Sequence, residues 1–235
     1  MIGPEESGES AIRVGVAVPA AGSGLRMGGT RKAFMELDGE PLLMRALRPF
    51  LNDHRVVTVV VSLAPEDADE VPGWITTLDD RVTLVKGGAT RTESVRNAVR
   101  VLPTDLDIIA IHDAARPLVT SATVRECIDV ANTGICAVAG CQVIDTMKFV
   151  DEEFQVVETP DRNSLWHAHT PQVFPADLLR RAYESGKVGT DDAALLEPLG
   201  VRVQMVDDGG MNIKVTQPED MVIARAILRL QSADV

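Results

Sequence analysis

The apolar residues of the chain fall into short runs that alternate with amphipathic segments. Residues 14–18 and 56–62 are runs of small or β-branched side chains, as expected of strands that are buried on both faces. Residues 41–51 and 90–102 instead repeat their apolar positions at helical spacing. This alternation predicts crossover connections between strands, and therefore a mainly parallel sheet.

The same alternation continues along most of the chain. Further strands are predicted at residues 81–85, 107–112, 135–140 and 201–206, and further helices at 121–131, 175–185, 190–199 and 218–230. The expected fold class is α/β: a Rossmann-like three-layer fold with a mainly parallel twisted sheet and helices on both faces. Ligands of such sheets bind at the carboxyl ends of the strands, where the loops after residues 18, 86 and 112 should converge.

The alternation breaks after Gln142. Two short apolar runs, residues 147–150 and 154–157, flank three acidic residues, which predicts a projecting β-hairpin arm. Because an isolated two-stranded hairpin is only marginally stable, we expect this arm to pack on another surface, such as a second subunit. The polar and aromatic residues 161–174 are then expected to fold back onto the body.

Length and composition suit one sizeable domain, since 45% of the 235 residues are hydrophobic. Residues 13–232 are expected to form a single domain that includes the projecting arm at about residues 143–162. Residues 1–12 are acidic and polar, and we expect a disordered tail there rather than a secretion signal. The longest apolar run, residues 56–61, is far too short to span a bilayer.

The net charge and the cysteines indicate which partners and which cellular compartment suit the protein. A formal net charge of −12 argues against a general nucleic-acid-binding surface, although cations gathered in one pocket could bind a phosphorylated small molecule. The three cysteines lack metal-ligand spacing, which indicates a reducing compartment. We therefore expect a cytoplasmic protein without nucleic-acid or membrane partners.

The strongest chemical signal follows the first strand. Pro19 ends that strand, and small residues up to Gly24 precede Arg26 and Lys32. Glycines allow backbone N–H groups to approach an anion, and cations neutralise it. The glycine spacing matches neither the dinucleotide fingerprint nor the P-loop, so the spacing alone fits either a phosphate-binding loop or an ordinary glycine-rich turn.

Other charged residues are candidates for phosphate binding. The candidate cations are Arg26, Arg31, Lys32, Arg91, Arg116, Lys148, Arg162 and Lys214. Because most arginines and lysines are simply exposed, those that directly follow a buried strand (Arg26, Lys32 and Arg116) are favoured. Asp113 also follows a buried strand, where its carboxylate could bind a metal or a substrate hydroxyl, or stabilise a turn.

The histidines give a weaker signal. His112, His167 and His169 form no recognised metal-binding spacing. We interpret His112 as a core histidine, and His167 and His169 as structural polar residues near the arm. The sequence has no G-x-S-x-G motif, which argues against a serine hydrolase.

Four segments together carry a family resemblance. They read VPAAGSGLRM (18–27), IHDAARP (111–117), DRNSLWHAHTPQ (161–172) and NIKVTQPED (212–220), with TDDAALLE (190–197) in support. In this order and at this spacing, the chain closely resembles the 2-C-methyl-D-erythritol 4-phosphate cytidylyltransferase family over about residues 14–228. The resemblance implies that CTP and 2-C-methyl-D-erythritol 4-phosphate react to give the cytidine diphosphate alcohol and pyrophosphate. It also implies Mg²⁺ bound mainly by the CTP phosphates, without an assigned protein ligand.

The resemblance assigns roles to the positions that match the family's motifs. Residues that would act on the triphosphate are Arg26, Lys32 and Lys214. Residues that would bind CTP are Ala20, Ala21, Gly22, Gly24, Gly88 and Ser94. Residues on the acceptor side would be Asp113, Arg116 and Thr190, with Thr146 and Arg162 contributed by the arm of a neighbouring subunit. A homodimer is therefore implied.

Two positions depart from the family's pattern. Ala89 stands where some relatives have an acidic residue beside the cytosine base of CTP. Contacts between this position and the base must therefore come from the backbone. Arg31 stands where proline usually precedes the lysine, which would set Lys32 less rigidly.

The implied chemistry suits the residue types, because an ionised phosphate nucleophile needs no general base and catalysis rests on positioning and electrostatics. Two alternatives stay open. One is a ribitol-5-phosphate cytidylyltransferase or a related CTP-dependent polyol-phosphate transferase. The other is a nucleotide-binding regulatory protein that has lost catalysis.

Overall fold

A computed structural model describes residues 11–22, 31–69, 71–187 and 189–233. The strands are β1 Val14–Pro19, β2 Glu36–Leu37, β3 Glu40–Pro41, β4 Val56–Leu63, β5 Val82–Lys86, β6 Ile108–Ile111, β7 Cys136–Gln142, β8 Phe149–Val150, β9 Val156–Glu158, β10 Trp166–Pro175 and β11 Val203–Asp207. The helices are α1 Leu42–Leu51, α2 Pro65–Asp69, α3 Gly73–Thr76, α4 Arg91–Val101, α5 Ser121–Asn132, α6 Ala176–Glu184 and α7 Pro218–Ala233. Most of the expected tail, up to residue 10, lies outside the described residues.

Seven strands form one central sheet in the order β11-β7-β10-β6-β1-β4-β5. All neighbouring pairs are parallel except those of β10, which runs antiparallel to both β6 and β7. Helices cover both faces of the sheet, and the predicted α/β fold class is confirmed. The carboxyl ends of β1, β4, β5 and β6 meet at one edge, so the loops that follow these strands face a common space.

The alternation of side chains along β1 explains the two layers of core. Val14, Val16 and Val18 are fully buried in a cluster that includes Leu47 of α1 and Ile128 of α5. Ala17 belongs instead to the opposite cluster, which contains residues of α4 and α6. Because side chains of a strand alternate between faces, one short strand joins both hydrophobic layers.

The hydrophobic pattern does not predict strand β10. Residues 161–174 were expected only to fold back onto the body, and the structure shows that most of them form this strand. This strand lies between β6 and β7 in the middle of the sheet. Two of its polar residues, Thr170 and Gln172, are buried. Their side chains hydrogen-bond within the protein, which is why a polar sequence can occupy a central strand.

The helix predicted at residues 190–199 is also corrected. Two short 3₁₀ helices occur there, Ala193–Leu195 and Glu197–Leu199. Asp191 accepts a hydrogen bond from the Ala194 N–H and so begins the first of them. Pro198 lacks an N–H, so it cannot continue an α-helical ladder.

The C-terminal helix α7 packs against the β2–β3 ribbon and Leu118 through a third apolar cluster, to which Val215 and Met221 belong. The Val215 N–H donates to the carbonyl of Ala115 at 2.8 Å. These contacts carry the segment before α7 across the carboxyl edge of the sheet.

The predicted hairpin arm is present as the antiparallel pair β8–β9. Its apolar side chains are exposed in the single chain, and Phe154 is 85% exposed. Large exposed apolar residues grouped on one projection are typical of an interaction surface. Among the described helices, none combines the length and apolar character that a membrane span requires.

Candidate active site

A cavity of about 640 Å³ opens at the carboxyl edge of the sheet. Its described lining comes from the loops after β1, β5 and β6, the start of α4 and the segment before α7. The lining residues are Pro19, Ala20, Ala21, Gly22, Lys32, Ala33, Gly88, Ala89, Thr90, Arg91, Ser94, Asp113, Ala114, Ala115, Lys214 and Thr216. The volume lies within the range of small-molecule sites.

Eight of the predicted site residues therefore share one pocket: Ala20, Ala21, Gly22, Lys32, Gly88, Ser94, Asp113 and Lys214. Two others, Gly24 and Arg26, lie outside the described residues. Arg116 is buried beneath the pocket. Three more, Thr146, Arg162 and Thr190, are exposed and do not line it.

Two glycines allow close approaches in this wall of the pocket, Gly87 to the loop after β1 and Gly88 to the start of α4. A Cβ at Gly87 would lie 2.6 Å from the Cβ of Ala21, and one at Gly88 would lie 2.3 Å from the Cβ of Glu93. Such separations do not occur between real carbon atoms, so this close approach requires glycine at both positions. One wall of the pocket is consequently made of backbone and small side chains.

The start of α4 is fixed by side-chain caps. Thr90 Oγ1 accepts from the Glu93 N–H at 3.1 Å, and Glu93 Oε2 accepts from the Ala89 N–H at 2.8 Å. Ser94 Oγ accepts from the Gly88 N–H at 3.1 Å and donates to the Thr90 carbonyl at 2.9 Å. Ala89 is one of the two positions that differ from the family's pattern. Its N–H already donates to Glu93, so its carbonyl is the backbone group that it can offer to a ligand.

The central charged group of the pocket is Asp113. Arg91 Nε lies 2.9 Å from its Oδ1, and Lys214 Nζ lies 2.7 Å from its Oδ2. Burial opposes ionisation, but the charges of Arg91 and Lys214 outweigh it and hold the pKa of Asp113 well below its usual range. The pocket thus holds a permanent carboxylate between two cations.

Arg91 also pairs with a second buried carboxylate, since its Nη2 lies 2.8 Å from Asp192 Oδ2. Desolvation lowers the pKa of Arg91, but the charges of Asp192 and Asp113 outweigh this effect and raise it further above its usual range. The Tyr183 hydroxyl contacts Asp192, and Gln172 Oε1 accepts from the Asp192 N–H at 3.1 Å. Arg91 is therefore clamped between the loop after β6 and the segment before Ala193.

A buried chain of hydrogen bonds fixes the backbone of Asp113. Its N–H donates to Thr170 Oγ1 at 3.0 Å, and Thr170 Oγ1 lies 3.1 Å from His112 Nδ1. His112 Nε2 lies 3.1 Å from the Arg116 carbonyl, which can only accept, so the neutral ring carries its proton on Nε2 and accepts at Nδ1. Burial lowers the pKa of His112 to about 4.

Arg116 supports the segment that carries Lys214. Its Nη1 donates to the Asn212 carbonyl at 2.6 Å, two residues before Lys214. Desolvation lowers the pKa of Arg116, and its buried Nε has no hydrogen-bond partner. The side chain therefore braces the pocket from below rather than lining it.

The residue before Lys32 is held more firmly than the sequence suggests. Arg31 has φ −63°, which is the value that proline would impose. Its Nε lies 2.5 Å from Asp67 Oδ1 of α2. Arg31 thus adopts the φ that a proline would have, and its ion pair ties this position to α2.

The donor set of the pocket suits a cation that arrives with a phosphorylated ligand. Asp113 is the only carboxylate among the described lining residues, and both of its oxygens are paired. A divalent cation here would consequently be held chiefly by the ligand's own phosphate oxygens.

The arm residues lie apart from this pocket. Arg162 Nη1 donates to the Ile144 carbonyl at 2.6 Å and thereby ties the base of the arm. Thr146 follows in the exposed segment before β8. Neither side chain lines the pocket of its own chain.

Among the residues of the site to which sequence reasoning assigned no role, three are charged or polar and shape it: Arg91, Asp192 and Thr216. Arg91 stood among the candidate cations, but its pairing with two distant carboxylates has no sequence signal. Asp192 lies within the TDDAALLE segment and Thr216 within the NIKVTQPED segment. Membership of these motif segments was the sequence signal that could have pointed to them. Thr216 lines the pocket, and Asp220 holds it through contacts with its N–H and hydroxyl at 2.6 and 2.8 Å.

Comparisons with known proteins show which family the chain resembles. A family model described as 2-C-methyl-D-erythritol 4-phosphate cytidylyltransferase matches residues 14–230. Proteins of that name from Caldanaerobacter subterraneus and Symbiobacterium thermophilum are 36% and 40% identical, over 93% and 92% of this chain and 100% and 93% of their own. The crystal structure of the enzyme of that name from Thermus thermophilus superposes with a TM-score of 0.77 at 31% identity, over 93% of this chain and all of the other.

Proposed function

The chain belongs to the 2-C-methyl-D-erythritol 4-phosphate cytidylyltransferase family, and from that membership we propose how its pocket performs the family's reaction. The enzyme transfers the cytidylyl group of CTP to 2-C-methyl-D-erythritol 4-phosphate in non-mevalonate isoprenoid precursor synthesis. The products are 4-diphosphocytidyl-2-C-methyl-D-erythritol and pyrophosphate. The observation that carries the proposed mechanism is the Lys214–Asp113 pair, which shares one pocket with Lys32 and Gly22.

The reaction is a single in-line displacement. A phosphate oxygen of 2-C-methyl-D-erythritol 4-phosphate attacks the α-phosphorus of CTP, and the bond from that phosphorus to the bridging oxygen breaks as pyrophosphate leaves. The nucleophile is already ionised at neutral pH, so no residue has to remove a proton. The task of the protein is to bring anions together and to stabilise the charge of the transition state.

The cations of the pocket supply that stabilisation. Lys32 and Lys214 flank the α-phosphate, and Arg26 binds the β- and γ-phosphates. Asp113 orients Lys214 and receives the acceptor's hydroxyl groups, with Thr190 on the same side. Arg116 serves this side from beneath, because it holds the segment that carries Lys214. Because Asp113 is ionised and already paired, it acts as a positioning group and not as a base.

The cytidine moiety lies along the small-residue wall. Backbone groups of Ala20, Ala21, Gly22, Gly24 and Gly88 contact the nucleotide, and Ser94 contributes its hydroxyl. Backbone contacts suit a base whose edge presents both donors and acceptors. Since Glu93 engages the Ala89 N–H, the carbonyl of Ala89 is the group that this position offers.

Mg²⁺ accompanies CTP and, when bound, neutralises its phosphates and favours departure of pyrophosphate. The free carboxylates that a dedicated cage would need are lacking among the described lining residues. Its coordination in this proposal is therefore mainly by phosphate oxygens.

The enzyme works as a cytoplasmic homodimer in this proposal, with Thr146 and Arg162 of each arm entering the neighbouring subunit's site. The exposed apolar side chains of the arm support this arrangement, because they would be covered by the partner. The acceptor side of the pocket would gain a cation that its own chain does not supply.

The proposal is tested by measuring pyrophosphate release with Mg²⁺. We expect turnover with CTP and 2-C-methyl-D-erythritol 4-phosphate, and little with ATP, GTP or UTP. Ribitol 5-phosphate is the matched acceptor control, since it is also a polyol phosphate. Faster turnover with ribitol 5-phosphate, or none with any acceptor, would contradict the proposed function.

A further inference from the structure

A second group of reactive side chains lies outside the catalytic pocket. Cys141, His169 and Asp208 each present one candidate ligand atom, and these atoms all lie within 4.8 Å of one another. None of the three residues lines the catalytic pocket. They come from the end of β7, from β10 and from the loop after β11, and these three strands are neighbours in the sheet.

Hydrogen bonds already orient His169 and Asp208, whose side chains are 13% and 0% exposed. His169 Nδ1 lies 2.8 Å from Asp208 Oδ2, and Asn212 Nδ2 donates to the same oxygen at 3.0 Å. The Gly210 N–H donates to Asp208 Oδ1 at 3.1 Å. Metal-binding side chains typically receive this kind of support from surrounding hydrogen bonds.

We propose that Cys141, His169 and Asp208 bind a zinc ion. A thiolate, an imidazole and a carboxylate are all established zinc ligands, at about 2.3, 2.0 and 2.0–2.2 Å respectively. Around a tetrahedral ion such ligands lie roughly 3.3–3.8 Å apart, so the existing spacing needs adjustments of about 1 Å. The thiolate and imidazole favour zinc over Mg²⁺, which prefers oxygen ligands.

A fourth position is left for water. The buried Asn212 Oδ1 has no hydrogen-bond partner, although its amide nitrogen contacts Asp208. A metal-bound water beside this amide would provide a donor for that oxygen. The unpartnered oxygen is thus a second observation that points to a ligand at this place.

Zinc binding would exchange a proton for the metal. Burial, with smaller contributions from the charges of Asp208 and Asp207, raises the pKa of the Cys141 thiol above its ordinary value. Zinc binding by the thiolate releases the thiol proton to solvent without any change of oxidation state.

The site would brace the segment that leads to Lys214. Asp208 contacts Asn212, and the Asn212 carbonyl accepts from Arg116 beneath the pocket. Lys214 follows two residues later and reaches Asp113. A zinc ion would fix one end of this segment to β7 and β10, so its role would be structural rather than catalytic.

The test is a calorimetric titration with Zn²⁺. The full-length chain is first stripped of metal with a chelator, and CTP and Mg²⁺ are left out. We expect one equivalent to bind, and Cys141→Ser and His169→Ala each to weaken binding by at least about 100-fold, beyond the loss typical of a supporting residue. The matched controls are Cys136→Ala in β7 and His167→Ala in β10, which remove the same chemical groups outside the cluster. They should bind as the unaltered chain does.

A spectroscopic measurement on the unaltered chain tests the proposal even if a variant fails to fold. Co²⁺ in place of zinc should give a sulfur-to-cobalt charge-transfer band and the intense visible bands of four-coordinate cobalt. Absence of stoichiometric Zn²⁺ binding or of the sulfur band would overturn the proposal. So would binding that the two ligand variants leave unchanged, or that the two controls abolish.

Discussion

Lys214 and Asp113 come from opposite halves of the chain, yet Lys214 Nζ lies 2.7 Å from Asp113 Oδ2. The other oxygen of the same carboxylate is held by Arg91. Asp113 is therefore a fixed anion between two cations, and it sets the position of the lysine amine in the pocket. An anionic substrate that enters beside this pair meets a cation whose conformational freedom has already been reduced.

Removal of the Lys214 amine should mainly lower the rate of the chemical step. We expect Lys214→Ala to reduce kcat by about 100-fold or more, because a charge aimed at the transition state is lost. Steady-state pyrophosphate release gives the value. Lys187→Ala, which removes an exposed lysine outside the pocket, is the matched control and should keep normal kinetics. Near-normal kcat in Lys214→Ala would show that this residue has no catalytic role.

Loss of Arg91 should reduce both stability and activity. Arg91→Ala leaves two buried carboxylates, Asp113 and Asp192, without their shared cation. We expect the free energy of unfolding to fall by about 3 kcal/mol, measured by urea denaturation. Arg100→Ala, on the exposed side of the same helix, should change stability by less than about 0.5 kcal/mol. Equal effects of the two substitutions would contradict the bridging role of Arg91.

His112 should make the fold sensitive to mild acid. Its pKa in the folded chain is about 4, below the ordinary value of 6.5. Between these values the unfolded chain binds a proton that the folded chain does not, so stability is full above about pH 6.5 and falls as the pH drops toward 4. The expected loss between pH 7.5 and 5 is about 2 kcal/mol.

This pH effect is measured by denaturant unfolding at the two pH values. His112→Gln keeps an N–H that can reach the Arg116 carbonyl but cannot titrate. The variant should therefore be less stable at pH 7.5 and lose about 2 kcal/mol less on acidification than the unaltered chain. An identical pH dependence in both proteins would refute the assignment.

The proposed shared site predicts that two inactive variants can restore each other. Arg162→Ala removes the cation contributed by the arm, and Lys214→Ala removes the lysine of the pocket. If each site takes one residue from each subunit, half of the sites in a mixed dimer are intact. After equal amounts of the two are unfolded and refolded together, activity should recover to about a quarter of the normal value. Recovery no greater than the sum of the separate variants would exclude a shared site.

Much of the fold could be predicted because local sequence patterns reflect burial. β1 and β4 are continuous apolar runs, and α4 has helical spacing with Thr90 at its start. β10 escaped prediction because its buried Thr170 and Gln172 are stabilised by partners far away in sequence. The helix expected at residues 190–199 was wrong because two short 3₁₀ helices form there, and Pro198 lacks the N–H that a continuous α-helix would need.

The sequence by itself determined the α/β class, the loop after β1, and, through its motif segments, the family and most of the candidate residues. Only the tertiary structure revealed that Arg91 joins Asp113 to Asp192, that Arg31 is tied to Asp67, and that a cysteine, a histidine and an aspartate meet beside β11. The physical reason is the separation along the chain of the residues that interact. Strand and helix patterns arise from contacts between near neighbours, whereas buried ion pairs depend on which distant segments the sheet brings to the same edge.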